Sequence, residues 1–294
     1  MKIKAWIEAM RLRTLPVSVA GVISGIACGT GNGVFRVAPA LICLLFAVIA
    51  QIVSNFANEY YDYKNGFDKK GREGFRRGVT EGDLTPEAMK RATFGLLAVD
   101  CLLGLSLIIW GGWWLIAVGV AVALFAIAYS GGPYPLSHHG LGDVAVVIFF
   151  GIVPVMLTSY LTCGNWENAP ISFGIGLAIG LLAANVLIVN NYRDMEDDEE
   201  VGKHTTVVLF GRRAMHGIYL FNATVGLTVI SISLLESGAS FLWLFGYGLI
   251  EIFYIFVWIS MGRSRGKSLN NILKRTAQLV LLTSIITMVA MATK

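Results

Sequence analysis

Uninterrupted apolar blocks dominate the chain, each about as long as the roughly 20 residues a helix needs to cross a bilayer's hydrocarbon core. Nine occur, at about 15–31, 37–57, 92–110, 113–130, 143–162, 171–191, 216–235, 240–261 and 275–293. In hydrocarbon a spanning segment must pair its own backbone N–H and C=O groups, so blocks of this kind fold as helices. Only 14% of the 294 residues are charged, against about a quarter in soluble domains, so most of the chain has no water to face. Turns such as Gly111-Gly112 and Gly164-Asn165 separate several blocks, and no long soluble insert intervenes. The expectation is an all-α polytopic membrane protein, one domain over 1–294, with nine transmembrane helices in a bundle. The basic, amphipathic N-terminal stretch lacks a short apolar core followed by a small-residue cleavage site, so no cleaved signal peptide is read there. Cys28, Cys43, Cys101 and Cys163 are scattered among the apolar blocks, and none forms a CxxC pair, so they read as packing residues.

Orientation follows from where the cations lie. Lys and Arg number 4 before the first block, 8 after the second, 4 after the sixth and 5 after the eighth, leaving one after the first and one at the C-terminus. The positive-inside rule then puts the N-terminus and the loops after blocks two, four, six and eight in the cytoplasm, and the C-terminus outside. The loops at about 57–91 and about 192–214 are expected to cap a site on that face.

Two acidic clusters stand out. Asn58 and Asp62 run off the end of the second block, and Asn190 and Asp194 off the end of the sixth, each as Asn-x-x-x-Asp. Residues four apart share a helix face, so Asn58 with Asp62, and Asp194 with Asp198, each project oxygens in one direction. The parent helices lie four blocks apart and run the same way. Mg²⁺ takes oxygen ligands, commonly one or two carboxylates plus substrate phosphates, so two such pairs suit a metal-bridged diphosphate. Lys203, Arg193 and the basic run Arg72, Arg76 and Arg77 are placed to neutralise the remaining negative charge. Taken singly, Asp68, Asp197, Glu199 and Glu200 read equally well as solvated loop acids.

At these residues the chain resembles the UbiA superfamily of intramembrane prenyltransferases, and within it the branch that acts on 1,4-dihydroxy-2-naphthoate. Four stretches carry the likeness: Arg11 to Pro16, Asp62 to Asp68 with its wide spacing of the two carboxylates, Gly132 to Asp143, and Asn190 to Thr205. The chain departs from the pattern at Leu12, where Pro is usual, and at Glu59 and Asp143, which exchange one acid for the other. The resemblance implies nine transmembrane helices and Mg²⁺-assisted ionisation of a polyprenyl diphosphate. It also implies capture of the allylic cation by an aromatic acid acceptor with loss of CO₂, which would yield demethylmenaquinol. It implies metal ligation by Asn58, Asp62, Asp68, Asp194 and Asp198, with Lys203 and Arg193 stabilising the departing diphosphate. Arg11 reads as the acceptor-carboxylate ligand or as a positive-inside anchor. Asn190, Arg76 and Arg77 are candidate substrate ligands, and Tyr129, Tyr134 and Tyr192 are candidate cation neighbours. His138 and His139 are acceptor-side candidates that read equally as a solvated pair. No protein or nucleic-acid partner is indicated, and a bacterial inner membrane is the expected location.

Asp100 and Glu251 fall within apolar blocks, where a charge costs about 3 kcal/mol or more, so each is expected to face the bundle and find a partner or a proton. They keep a secondary transporter open as the reading from a different class, since such proteins bind substrate near the midplane. Another aromatic acceptor, such as 4-hydroxybenzoate, is the alternative within the enzyme class.

Overall fold

The computed structural model describes residues 2–30, 35–71 and 74–294, so Arg72 lies outside the described residues. All regular elements among them are helical: α1 (Lys2–Ala9), α2 (Leu15–Gly29), α3 (Val37–Lys64), α4 (Pro86–Ser106), α5 (Ile108–Gly111), α6 (Leu115–Ala128), α7 (Gly142–Val146), α8 (Val153–Cys163), α9 (Ala169–Glu200), α10 (Thr206–Glu236), α11 (Trp243–Arg263) and α12 (Leu269–Ala292). A π-helical stretch, Val147–Ile152, joins α7 to α8. Seven of the described helical segments are long and apolar enough to cross a membrane, and Leu15–Gly29 and Leu115–Ala128 are shorter apolar helices. The chain is an integral membrane protein.

Two helices outrun their apolar blocks. α3 continues past 57 to Lys64, and α9 past 191 to Glu200, because no Gly or Pro interrupts either until Gly66 and Gly202. Those two glycines adopt φ of 74° and 76°, the left-handed conformation that ends helices. At 32 residues, α9 is about 48 Å long against a hydrocarbon core of about 30 Å. Asn58 with Asp62, and Asp194 with Asp198, therefore share helix faces as expected, while the loops expected from about 57 and 192 begin only after Lys64 and Glu200. After the loop, α4 starts as its sequence dictates: the Thr85 hydroxyl accepts from Ala88 N at 3.2 Å, Pro86 opens the helix and Glu87 sits in its first turn.

Glycine brings the helices together. Gly21, Gly25 and Gly29 recur every fourth residue on α2, and a Cβ on them would meet Phe150 O at 2.6 Å, Thr158 Cβ at 2.6 Å and Thr162 Oγ1 at 2.0 Å. On α9, a Cβ on Gly180 would lie 2.4 Å from Val147 O, while one on Gly151 would lie 2.3 Å from Gly176 O. Such close approach supplies the van der Waals contact that holds helices together in lipid, where apolar burial against apolar solvent gains little. α9 runs through the middle, packed on α10, α12, α8 and the π-helical stretch, while α2 seats against α3, α8, α9 and α12, so the first and last long helices are neighbours.

The two intramembrane acids differ. Glu251 on α11 accepts a 2.9 Å hydrogen bond from Thr224 Oγ1 on α10, the interhelical partner expected of it. Asp100 on α4 is buried at 3% exposure, and its Oδ1 has no hydrogen-bond partner among the described residues.

Candidate active site

A polar cavity of about 150 Å³ opens where α2, α3, α6, α9 and the loops after α3 and α9 converge. On α3 its lining residues are Gln51, Ser54, Asn55, Asn58 and Asp62; on α9 they include Asn190, Asn191, Asp194 and Asp198. Both sets follow the three- and four-residue spacing of one helix face. Arg11, Phe75, Arg77, Tyr129, His138 and Lys203 complete the polar and aromatic wall.

Asp62 is the electrostatic centre. Its side chain is fully buried, with Lys203 Nζ 2.8 Å from Oδ2 and His138 Nε2 3.1 Å from Oδ1. Arg77 Nη2 lies 3.7 Å from the same Oδ2, and Arg77 Nε lies 3.4 Å from Asp68 Oδ2. The Lys203 contact ties the α9 cluster to the α3 cluster across 141 residues of sequence. It forms because Gly202 turns the chain and Lys203 N then donates to Asp198 O at 2.8 Å, folding the lysine back over the helix end. Asp194 is gripped by its neighbour: Arg193 Nε and Nη2 donate to its two carboxylate oxygens at 2.7 Å each, Nη2 also donates to Asn190 Oδ1, and Nη1 donates to Asn270 Oδ1. A planar fork held in this bidentate way fixes the carboxylate's direction. At the base of α2, Arg11 Nη2 donates to Asn58 Oδ1 at 2.6 Å, and Asn58 Nδ2 donates to Ser130 Oγ at 2.9 Å. Arg11 is the one described non-glycine residue with positive φ, 51°, a strained conformation of the kind that clusters at ligand sites.

The loop after α3 lies over these groups. Glu59, fully buried, accepts from Val79 N at 3.0 Å and so fastens the loop to the helix. Phe75 stacks under the Arg193 guanidinium at 5.4 Å, and a Cβ on Gly74 would sit 2.6 Å from Arg193 Nη2. Beside the cavity, Thr206 Oγ1 donates to Asp143 at 2.6 Å, and His204 N donates to His138 O at 2.9 Å, joining the loops before α7 and α10.

Beside the polar groups lies a second, apolar cavity of about 140 Å³, hereafter the tunnel. Gln51, Ser54, Phe125 and Phe150 line both spaces and form the neck between them. The tunnel shares Phe46, Ala50, Leu115 and Gly119 with a further apolar groove bordered by Leu97, Leu105 and Leu124, running between α4 and α6.

The structure gathers Arg11, Asn58, Asp62, Arg77, Tyr129, Asn190, Asp194, Asp198 and Lys203 around one cavity. Five others do not line it. Arg76 pairs instead with Asp83 and Glu8 on the exposed side of the loop. His139 turns its Nδ1 to Pro135 O at 2.8 Å and stacks on exposed Tyr134, leaving His138 as the inward histidine. Tyr192 points to the opposite face of α9, under Arg212, which also pairs with Glu196 one turn on. Asp68 sits behind Arg77 rather than on the wall, and Arg193 acts on Asp194 and Asn190. Sequence reasoning missed Gln51, Asn55, Asn191 and Phe75. Extending the Asn58–Asp62 stripe back along α3 by one and two turns meets Asn55, Ser54 and Gln51 in an otherwise apolar block, and that was the available signal.

The carboxylate and amide oxygens of Asn58, Asp62, Asn190, Asp194 and Asp198 on the wall suit a hard cation such as Mg²⁺. Among the described residues no three His, Cys, Asp or Glu side chains are already grouped as a metal site, as expected where substrate phosphates supply part of the shell.

An oxygen-lined cavity beside an apolar tunnel defines an intramembrane protein with a site shaped for an amphiphile. The chain belongs to the UbiA prenyltransferase family, which matches residues 18–284. It is 38% identical to the 1,4-dihydroxy-2-naphthoate octaprenyltransferase of Escherichia coli over 80% of this chain and 78% of that one. It is 32% identical to the protein of the same name from Haemophilus influenzae over 97% and 94% of the two chains. Among solved structures, a UbiA homolog from Archaeoglobus fulgidus bound to DMAPP and Mg²⁺ superposes with a TM-score of 0.69 over 98% of this chain and 99% of that one, at 15% identity.

Proposed function

We propose that the chain transfers a polyprenyl group from polyprenyl diphosphate to 1,4-dihydroxy-2-naphthoate with loss of CO₂, a step of menaquinone biosynthesis. The observation that carries this reading is a carboxylate- and cation-lined cavity that shares Gln51, Ser54, Phe125 and Phe150 with an adjoining apolar one. A prenyl diphosphate has the same division: the diphosphate takes the polar side, the tail takes the tunnel, and the bond between them lies at the neck. The relatives from E. coli and H. influenzae, matched over most of their length, bear the name of this activity.

Asn58, Asp62, Asp194 and Asp198 would hold Mg²⁺, with Asp68 behind them. When bound, the metal would supply charge withdrawal from the leaving diphosphate. Lys203, Arg77 and His138, which now surround Asp62, turn to the diphosphate oxygens and stabilise the charge that develops as the allylic C–O bond breaks. Arg193 holds Asp194 and Asn190 in direction. Phe125, Phe150 and Tyr129 present ring faces to the allylic cation. Arg11 takes the acceptor carboxylate, the ring's electrons close the new C–C bond, and the C–CO₂ bond breaks, its electron pair restoring the aromatic ring as CO₂ leaves. The loop after α3, with the segment following α9, caps the site, and the whole chain works as one domain.

We further infer that the short helices α2 and α6 also cross the membrane, giving nine spans with the N-terminus and active site cytoplasmic and the C-terminus outside. The cation distribution supports that orientation, in a bacterial inner membrane.

The test is release of CO₂ and diphosphate by membranes holding the protein, supplied with 1,4-dihydroxy-2-naphthoate, a polyprenyl diphosphate and Mg²⁺. Asp194→Asn should lower turnover by roughly a hundredfold, the scale of a disturbed metal shell. Turnover with 4-hydroxybenzoate alone moves the acceptor and keeps the mechanism. Folded protein that is silent with every aromatic acceptor but transports a solute overturns the reading.

A further inference from the structure

We infer that Gln51 orients the aromatic acceptor, its side-chain carbonyl accepting a hydrogen bond from the ring hydroxyl remote from the carboxylate. The inference rests on the proposed reaction and deepens it.

Gln51 is 9% exposed and lies in the neck, lining both the polar cavity and the tunnel. Its Nε2 is 3.5 Å from Asn55 Oδ1, at the outer limit of a hydrogen bond, and its Oε1 is buried without any partner among the described residues. Asn55 is itself anchored, donating to Met10 O at 3.0 Å. A buried amide carbonyl left unpaired costs about 1–3 kcal/mol, and none of the hydroxyls lining the same space, Ser18, Ser54 and Thr158, bonds to it. A ligand entering there supplies the donor.

The chemistry of the neck selects that donor. A prenyl diphosphate carries only acceptor oxygens at its head and hydrocarbon in its tail, so it cannot satisfy Gln51. A phenolic hydroxyl can. The acceptor ring has to stand at the neck because the new C–C bond forms at the carbon joining head to tail. Phe125 and Phe150, the aromatic residues lining both spaces, offer apolar contact to a flat ring there. Arg11 meets α3 at Asn58, seven residues from Gln51 and so about 10 Å along the helix. The 4-hydroxyl stands meta to the carboxylate on the same ring, so an acid with its carboxylate toward Arg11 turns that hydroxyl along α3 toward Gln51. Accepting that proton's hydrogen bond also pushes electron density into the ring, which favours attack on a cation.

The experiment compares 1,4-dihydroxy-2-naphthoate with 1-hydroxy-2-naphthoate, which lacks only the remote hydroxyl, as ligands of wild-type protein and Gln51→Leu. Equilibrium binding to the detergent-purified full chain, with Mg²⁺ and a non-ionising thio analogue of the prenyl diphosphate present, is read by fluorescence quenching. Wild type should prefer the dihydroxy acid by roughly tenfold, the effect of one hydrogen bond and the unpaired group its loss leaves. Gln51→Leu should bind both acids alike, at the weaker affinity, while its affinity for the thio analogue stays within about twofold of wild type. In turnover the same variant raises KM for the acceptor and leaves KM for the prenyl diphosphate unchanged. Should Gln51→Leu not fold, Gln51→Met, which keeps the unbranched stem, carries the same comparison. Preference for the dihydroxy acid that survives in the folded variant overturns the assignment, with the proposed reaction intact. Wild-type protein that neither binds nor prenylates the dihydroxy acid overturns both.

Discussion

Gly74→Ala tests whether the loop after α3 is part of the site. The new Cβ would lie 2.6 Å from Arg193 Nη2 and 3.1 Å from both carboxylate oxygens of Asp194. An arginine tip on a free side chain would swing aside, but this one is pinned by bonds to Asp194, Asn190 and Asn270. Either a charge-assisted bond breaks or the loop lifts. Such a bond is worth about 1.5–3 kcal/mol, and lifting also removes Phe75 from the guanidinium, about 0.5–1 kcal/mol. A loss of about 1.5 kcal/mol alone shifts the closed population by about tenfold. We would measure kcat/KM for prenyl transfer in proteoliposomes beside the rate of tryptic nicking at Lys69 and Lys70, both exposed. The expected result is a fall in kcat/KM of about tenfold and nicking faster by a similar factor, with the thermal midpoint within a few degrees of wild type. Faster nicking with unchanged kcat/KM refutes the loop's role in turnover. Unchanged nicking refutes the steric argument itself.

Lys203→Met should lower kcat by about 10²–10³-fold, the scale of a lost electrostatic donor at a developing anion, while leaving Asp62 paired to His138 and Arg77; steady-state kinetics at saturating Mg²⁺ reads this. Chelation of divalent metal should abolish turnover and Mg²⁺ should restore it, whereas a metal-independent rate would remove the carboxylates from their assigned task. Gly151→Leu should cost about 3 kcal/mol or more through overpacking against α9, visible as a lower thermal midpoint in detergent. Asp100→Asn, which relieves a buried acid of its ionisation without changing its shape, should leave kcat/KM unaltered and raise the thermal midpoint.

The apolar blocks, the two acidic clusters and the Thr85 cap were legible because each is a local pattern with a local cause. Helix ends at Lys64 and Glu200 were placed too early because hydropathy marks where lipid stops, while the helix stops only at the next positive-φ glycine. Tyr192 was assigned to the site by proximity in sequence, although 3.6-residue periodicity turns it away from the face that Asn190, Asp194 and Asp198 share. His138 and His139 are indistinguishable in the sequence; the tight 3₁₀ turn at Leu136–His138 decides which ring points inward. The Asp62–Lys203 and Arg11–Asn58 contacts join residues 141 and 47 apart, and no local pattern encodes pairings of that range.

Because α2 packs against α12, the ribosome delivers the two sides of one seam at opposite ends of synthesis. The groove that receives the first of these helices lacks a wall until the last has been threaded into the bilayer. No carboxylate of the cavity lies beyond Asp198, yet Leu273 of α12 is on its wall, so a nascent chain holding every acidic residue of the site still has no site. A premature stop before α12 should leave a species that quality control clears, rather than a slow enzyme.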